Sequence, residues 1–598
     1  MSERAAVKNN WAGAGGRFAG GAVLLVVITL LAYLPVYNAT FYADDDGLVV
    51  HNDRLRTLDG LGEIWSDRQG TDGLYYPLTF TTYWVEYQLW GLDPRGYHID
   101  NVILHVLNAL LVWIVLRRLG VPGAWFAGAV FALHPANVES VAWVTERRNT
   151  LSSLFYLMSL LAYLHYRPLG RARSPGDGAS GPTRRPWLKY GLSITFFLAA
   201  LLSKTATLTL PAAILLLVWW KRGRVSLRDF WPLLPFFVLG LGLSLLTINL
   251  ERSFVQEGGP GWGTYSVVDR ALIAGHAVWF YLGKLLFPVH LAFHYPRWPI
   301  DAHAWRQYLY LVVTVAMLAA AFAVRRRVGR GPVTALLFFI GTLVPVLGFM
   351  NYFYMRYSFV ADRVLYVPGV GVIALVVGAA VTGMRRLGAG AARAVPVFAL
   401  VLIVVLGVGV WQRSSVFETP ETLYRDVLAK YPDSWIAHFS LGCVLAANNR
   451  PEEAISELET ALRLEPNHPA TLGYLGVVFS QVGRYDEALA MYQEALRQNP
   501  NDVVIRTNLG LTYVQMGEYD KGIEEYAKAL QLNPGYKPAL DNLTRVVLYR
   551  VDALFKAGQT SEARDFAAKA RALAERCGAH GLAGQIDRLV QQHRTPQP

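Results

Sequence analysis

The sequence predicts an all-α protein in two parts: a polytopic bundle of membrane-spanning helices, then an α-solenoid of short repeats. Apolar runs near span length recur from about residue 18 to residue 411. Hydrophobic residues make up 53% of the 598 and charged residues only 17%, too little charge for a soluble chain of this size. Beyond residue 414 a period of 34 residues takes over.

The net charge of +12 invites a nucleic-acid partner, but its distribution argues against one. Residues 415–598 carry 19 Lys+Arg against 23 Asp+Glu, whereas residues 1–414 carry 37 against 21. The basic excess sits in short loops between apolar runs, which is how membrane proteins set their orientation. Cys443 and Cys577 are the only cysteines, so neither a disulfide framework nor a zinc site is expected. The first run follows Arg4, Lys8 and Arg17 without a small-residue cleavage site, and it reads as a retained first helix.

Eleven spans are expected, near 18–36, 97–116, 121–134, 150–166, 187–203, 205–220, 229–249, 305–324, 331–349, 364–384 and 394–411. The segment 269–290 carries His276 and Lys284 and is expected to be re-entrant or interfacial. With that count, Arg117-Arg118, Arg167–Lys189, Lys221–Arg228, Arg325–Arg330 and Arg385–Arg393 all share the cytoplasmic side of the N-terminus. The C-terminal repeats then lie outside the cytoplasm, in the periplasm if the membrane is a bacterial inner membrane.

Pro432, Pro466, Pro500 and Pro534 are 34 residues apart, and Gly442, Gly476 and Gly510 and Ala461, Ala495 and Ala529 keep that period. Small residues let paired helices approach and proline stops the second helix, which is the tetratricopeptide-repeat (TPR) signature. The domains are therefore 1–414, with an extracytoplasmic loop at 37–96, and 415–598. The latter holds repeats near 433–466, 467–500 and 501–534 and a degenerate capping unit at 535–578, whose turn falls late, at Gly558-Gln559. Such arrays bind proteins or peptides in a groove; a spacer or dimerisation surface is the alternative.

Chemistry-bearing residues cluster on the outer side of this topology. Asp44, Asp45 and Asp46 follow the first span directly. Adjacent carboxylates raise at least one pKa, and they serve a general base, a Mg²⁺ or Mn²⁺ ligand set, or simply a solvated turn. The aromatic stretch Tyr75–His98 suits an interfacial helix or an aromatic belt. His98, Asn101, His105 and Asn108 share one helix face; for His105 and Asn108, bonding between helices is the simpler reading. Glu146, Arg147, Arg148 and Asn149, then Lys204, then Arg356, Asp362, Arg363 and Tyr366 add outer charge that orientation does not explain. Cations converging near carboxylates suit a lipid-linked phosphate beside a base. Plain salt bridges such as Glu146–Lys204 or Asp362–Arg147 are the alternative.

Four blocks and the repeat array, in order along the chain, resemble the transmembrane-and-TPR protein O-mannosyltransferases, which have the GT-C glycosyltransferase fold. The blocks are FYADDDGLVVHN, YYPLTFTTYW with GYHIDNVILHVLN, ALHPANVESVAWVTERRNTLSSLFYL, and VADRVLYVPGVG. Three positions depart from the family pattern: Tyr75-Tyr76-Pro77-Leu78 lacks a basic residue, Asn149 stands for an acid, and Thr205 follows Lys204. The resemblance implies an inverting transfer of one sugar from a polyprenyl-phosphate monosaccharide to a hydroxyl of an extracytoplasmic protein. It implies Asp44 or Asp45 as base, Arg147, Lys204 and Arg363 around the donor phosphate, and the TPR groove as the acceptor's holder. Asp46, His98, Glu146, Arg148, Arg356, Asp362 and Tyr366 are supporting candidates. A metal is not demanded; Asp44–Asp46 would be its ligands.

A non-catalytic membrane scaffold for envelope assembly is the rival reading, and it needs neither paired acids nor outer arginines. A transporter would want pseudo-symmetric halves and polar residues throughout the bilayer, and neither pattern is present.

Overall fold

The computed structural model describes residues 2–67, 74–169, 185–256, 265–349, 355, 357–387 and 389–593. It is helical almost throughout and divides into two units, 1–430 and 431–598.

In the first unit, six helices among the described residues are long and apolar enough to cross a membrane. They are Pro94–Arg118, Pro186–Ser203, Leu227–Leu250, Trp305–Ala323, Gly369–Arg386 and Pro396–Val416, against eleven expected spans. The other five fall short for different reasons: Phe18–Ala32 and Gly331–Val346 are apolar but short. The 121–134 run forms only the nine-residue helix Ala124–Ala132, about 14 Å at 1.5 Å per residue. Gly123 at φ +71 precedes it, and His134-Pro135 leads into a 3₁₀ turn. The 205–220 run starts as a 3₁₀ turn, Thr205–Thr209, leaving a 13-residue helix, Leu210–Arg222. Helix Arg147–Tyr166 has the length but begins with two arginines. The 269–290 segment is a helix, Val267–Leu286, closed by a Ser266/Asp269 capping box.

Between helices Ala124–Ala132 and Arg147–Tyr166, the segment 135–146 coils through two 3₁₀ turns and the short helix Val138–Ala142. Every residue from Pro135 to Glu146 is buried, including Glu139 and Glu146. That buried segment organises the site described below.

The second unit is an array of paired helices: Trp435–Ala447 with Pro451–Leu464, Pro469–Gln481 with Tyr485–Gln498, Val503–Gln515 with Tyr519–Leu532, and Lys537–Lys556 with Thr560–Arg576. The periodic glycines Gly442, Gly476 and Gly510 face the second helix of the first three pairs. A Cβ on Gly476 would lie 2.5 Å from the Tyr492 ring, and one on Gly442 2.6 Å from Leu458. In the fourth pair the first helix runs 20 residues and the chain turns at Gly558, φ +78. A last helix, His580–Gln592, buries Leu582, Ala583 and Ile586 in the same core.

Replacing Gly476 with alanine should destabilise the array by about 1–3 kcal/mol, because the Tyr492 ring must leave its seat. Urea unfolding of a 431–598 fragment measures this; an unchanged midpoint would show that the two helices separate freely.

Candidate functional site

The three aspartates diverge. Ala43, at φ +52, bends the chain so that Asp45 turns inward while Asp44 and Asp46 stay exposed. Asp45 accepts the Tyr42 N–H at 3.2 Å on one oxygen and the Thr145 N–H at 2.9 Å on the other. It thereby ties the first loop to the buried 135–146 segment. Burial pushes its pKa up to about 7, against the pull of those two N–H groups. Asp44 acts electrostatically on Arg148, and Asp46 lies 3.7 Å from His51. Among the described residues, no three His, Cys, Asp or Glu side chains converge as a metal-holding group. Asp45 faces inward while Asp44 and Asp46 stay exposed, so the three carboxylates do not converge on one point.

The cations gather around Glu146, the residue just before helix Arg147–Tyr166, where the helix N-terminus favours negative charge. Arg148 donates to Glu146 Oε1 from Nη2 at 2.7 Å and from Nε at 3.1 Å. Arg363 Nε lies 3.4 Å from the same oxygen, and Lys204 Nζ lies 3.8 Å from Oε2. Asn149 bridges the group: its Nδ2 donates to Glu146, and its Oδ1 accepts from Lys204. Arg363 also pairs with Glu139 and sits 5.3 Å from the Trp143 ring centroid.

Local backbone breaks aim these side chains. Helix Pro186–Ser203 ends at Lys204, whose extended backbone (φ −165, ψ 120) swings it toward Asn149. Arg363 lies on the 3₁₀ turn Asp362–Leu365, entered from extended Ala361.

Burial alone raises the Glu146 pKa, but Arg148, Lys204 and Arg363 together pull it down to about 2, so it stays ionised. Burial pushes the Glu139 pKa up, and the Arg363 guanidinium pulls against it. Three cations thus face two buried carboxylates, which leaves an excess of one positive charge. Their side chains retain 15% (Arg148), 22% (Lys204) and 11% (Arg363) exposure, enough for a ligand to reach them. Lys204, Arg363 and Asn149 line a cavity of about 60 Å³.

Arg147, an expected phosphate cation, stands apart from Arg148, Lys204 and Arg363. Its side chain is 2% exposed and pairs with Glu86. Its Nε donates to Asn101 and its Nη2 to the Tyr97 carbonyl at 2.7 Å. Each guanidinium nitrogen donates to an interior partner, whereas Arg148 is the neighbour that faces Glu146. Asp362 likewise pairs not with Arg147 but with the Tyr295 hydroxyl, at 2.8 and 2.9 Å. Burial raises its pKa to about 6.

His98 is fully buried. His105 and Asn108 bond across helices to Tyr366, at 2.7 and 3.2 Å, so Tyr366 too serves packing there. Arg356 lies outside the described residues. Sequence reasoning missed Glu86, although it is the only charged residue between Tyr75 and Gly91, and a lone acid in an aromatic helix needs a partner. Tyr295 carried no signal.

Two tetratricopeptide-repeat family models match, over residues 434–500 and 480–546. Among curated proteins, the chain is 25% identical over 479 residues to Protein O-mannosyl-transferase F38B6.6 of Caenorhabditis elegans, covering 76% of this chain and 64% of the relative. It is 25% identical to Protein O-mannosyl-transferase TMTC1 of Homo sapiens, covering 77% and 56%. With Protein O-mannosyl-transferase Tmtc1 of Drosophila melanogaster it shares 34% over 193 residues, 30% of this chain and 21% of the relative. The chain thus spans under two thirds of the length of these relatives. Among solved structures, MamA is 24% identical, covering 27% of this chain and 90% of that one, with a TM-score of 0.22. The chain is a TPR-repeat protein with several membrane-length apolar helices, related to the protein O-mannosyl-transferases.

Proposed function

We propose that this chain is an integral-membrane glycosyltransferase of GT-C type. It moves a sugar from a polyprenyl-phosphate monosaccharide to a hydroxyl of an extracytoplasmic protein. The membrane module, 1–414, performs the transfer, and the TPR module, 415–598, holds the acceptor and raises its concentration at the site. Similarity to the protein O-mannosyl-transferases supports the class of reaction. The observation that carries the site is the group of Arg148, Lys204 and Arg363, net positive and reachable, beside exposed Asp44.

In this reading the acceptor oxygen attacks the anomeric carbon from the face opposite the phosphate. The new C–O bond forms as the bond from that carbon to the phosphate oxygen breaks, with inversion. The acceptor proton passes to Asp44, and the bonding pair leaves with the polyprenyl phosphate. The leaving group gains negative charge, which Arg148, Lys204 and Arg363 stabilise more strongly in the transition state than in the donor. Asp45, with both oxygens on backbone N–H groups, positions the loop that carries Asp44. Arg147 with Glu86 braces the helix start that presents Arg148. The membrane is a bacterial inner membrane, with the N-terminus cytoplasmic and the TPR array periplasmic.

The test is transfer of radiolabelled sugar from polyprenyl-phosphate hexoses in membranes carrying the wild-type chain or Asp44→Asn. Label should move to protein only with the wild type, and the donor that works names the sugar. Equal labelling by both, across the common hexoses, would favour the scaffold.

A further inference from the structure

Two apolar cavities share lining residues with the small cation-lined one. The first, about 450 Å³, lies among helices Pro94–Arg118, Arg147–Tyr166, Leu210–Arg222, Gly331–Leu343 and Gly369–Arg386, and shares Ser153, Tyr156, Tyr366 and Val367 with the cation-lined cavity. The second, about 520 Å³, lies among Leu210–Arg222, Leu234–Gln256 and Gly331–Leu343, and shares Thr209 and Thr342 with it. A hydrocarbon chain tied to a phosphate at Lys204 and Arg363 therefore has two routes away from the cations.

The routes differ in length. The first is lined by Val370, Ala374, Gly378 and Thr382 on successive turns of one helix and runs from Val367 to Arg386, about 28 Å at 1.5 Å per residue. On each helix the second is lined over only two or three turns, for example Phe237 to Ser244. Only the first has the span for a long chain.

Phe338 lines both cavities. A Cβ on Gly371 would lie 2.9 Å from the Phe338 ring and 2.9 Å from the Ala335 carbonyl oxygen. The bare glycine lets the two helices close and the ring seat between them.

Resting on the donor reading above, we infer that Phe338, seated on Gly371, is a specificity-determining residue. It directs the isoprenoid chain of a membrane lipid phosphate along helix Gly369–Arg386 and closes the second cavity to it. Charge complementarity at the mouth and the length of the slot select this occupant.

Two substitutions separate the routes. A Cβ on Gly378 would sit 3.6 Å from Val121, an ordinary contact, so Gly378→Leu fills the first slot about 16 Å along the helix from Val367. Nothing lies within 4 Å of a Cβ on Gly341, so Gly341→Leu fills the second cavity. The experiment measures binding of sugar-free geranyl phosphate and undecaprenyl phosphate to the full-length protein in detergent. Gly378→Leu should weaken undecaprenyl phosphate by about tenfold or more, the loss of a few buried methylenes, and spare geranyl phosphate. Gly341→Leu should spare both, and Phe338→Ala should blunt the Gly378→Leu effect by opening the other route.

Loss confined to Gly341→Leu would put the chain in the second cavity and overturn the inference. Equal loss of both phosphates in Gly378→Leu would also overturn it. Dioleoyl phosphatidic acid binding as tightly as undecaprenyl phosphate would replace the isoprenoid with an acyl chain. Failure of the wild type to bind either isoprenoid phosphate would overturn the donor reading and this inference with it.

Discussion

Lys204→Ala should lower the rate of sugar transfer about 10²- to 10³-fold, the usual effect of removing one donor aimed at developing charge. Lys204 is the most exposed of the three cations around Glu146, and with Asn149 it lines the cation-lined cavity. Its removal leaves Glu146 held by Arg148 and Arg363, so the fold should persist. The rate loss should fall mainly on kcat, because the charge matters most as the phosphate leaves. Lys204→Arg should restore part of it, since it keeps the positive charge at a partly exposed site. Kinetics on the detergent-solubilised protein, with unfolding temperature as a control, check this. A loss confined to KM would make Lys204 a ground-state binder only.

Arg147→Ala should cost about 3–5 kcal/mol of stability, because it strands Glu86 in a dry interior. Glu86 is 3% exposed, and Asn101 and the Tyr97 carbonyl lose their donor at the same stroke. The variant should express poorly or unfold at a much lower temperature. Glu86→Leu/Arg147→Met removes both charges while keeping volume, and it should recover most of the loss, as apolar replacement of a buried pair often does. Unfolding temperatures of the three proteins decide the matter. An Arg147→Ala protein as stable as the wild type, yet unable to use donor, would return Arg147 to the phosphate site.

Arg147 and Arg148 show why part of the site was hidden. They are adjacent, identical in chemistry and equally placed beside the acid and the turn that mark the block. Successive residues on a helix diverge by about 100°, so only one of the two can face a given neighbour. Which one does depends on where the helix starts, and it starts at Arg147 because the coiled, buried 135–146 segment delivers the chain there. The aspartates repeat the lesson. FYADDDG marks a charged turn, but the bend at Ala43 decides that Asp45 goes inside and Asp44 stays out.

The apolar runs carry a similar ambiguity. Apolar content places a run in a membrane-protein interior without saying whether the backbone there stays helical for the ~30 Å of a crossing. Ala124–Ala132 and Thr205–Arg222 are apolar enough, yet a His-Pro step shortens one and a 3₁₀ turn breaks the other.

The sequence by itself determined what depends on period and composition. The 34-residue spacing of Gly442, Gly476 and Gly510 marks the array because close helix approach demands a missing side chain at the same step in each of the first three units. The apolar bulk and the basic loops of residues 1–414 mark a membrane chain, and the ordered acid and arginine blocks mark its relatives. Only the tertiary structure decided which charges meet. Glu139, Glu146, Lys204 and Arg363 are joined across up to 224 residues of chain, and Glu86 with Arg147 across 61. Coulomb interactions between such groups depend on spatial distance and on burial, and neither is a function of separation along the chain.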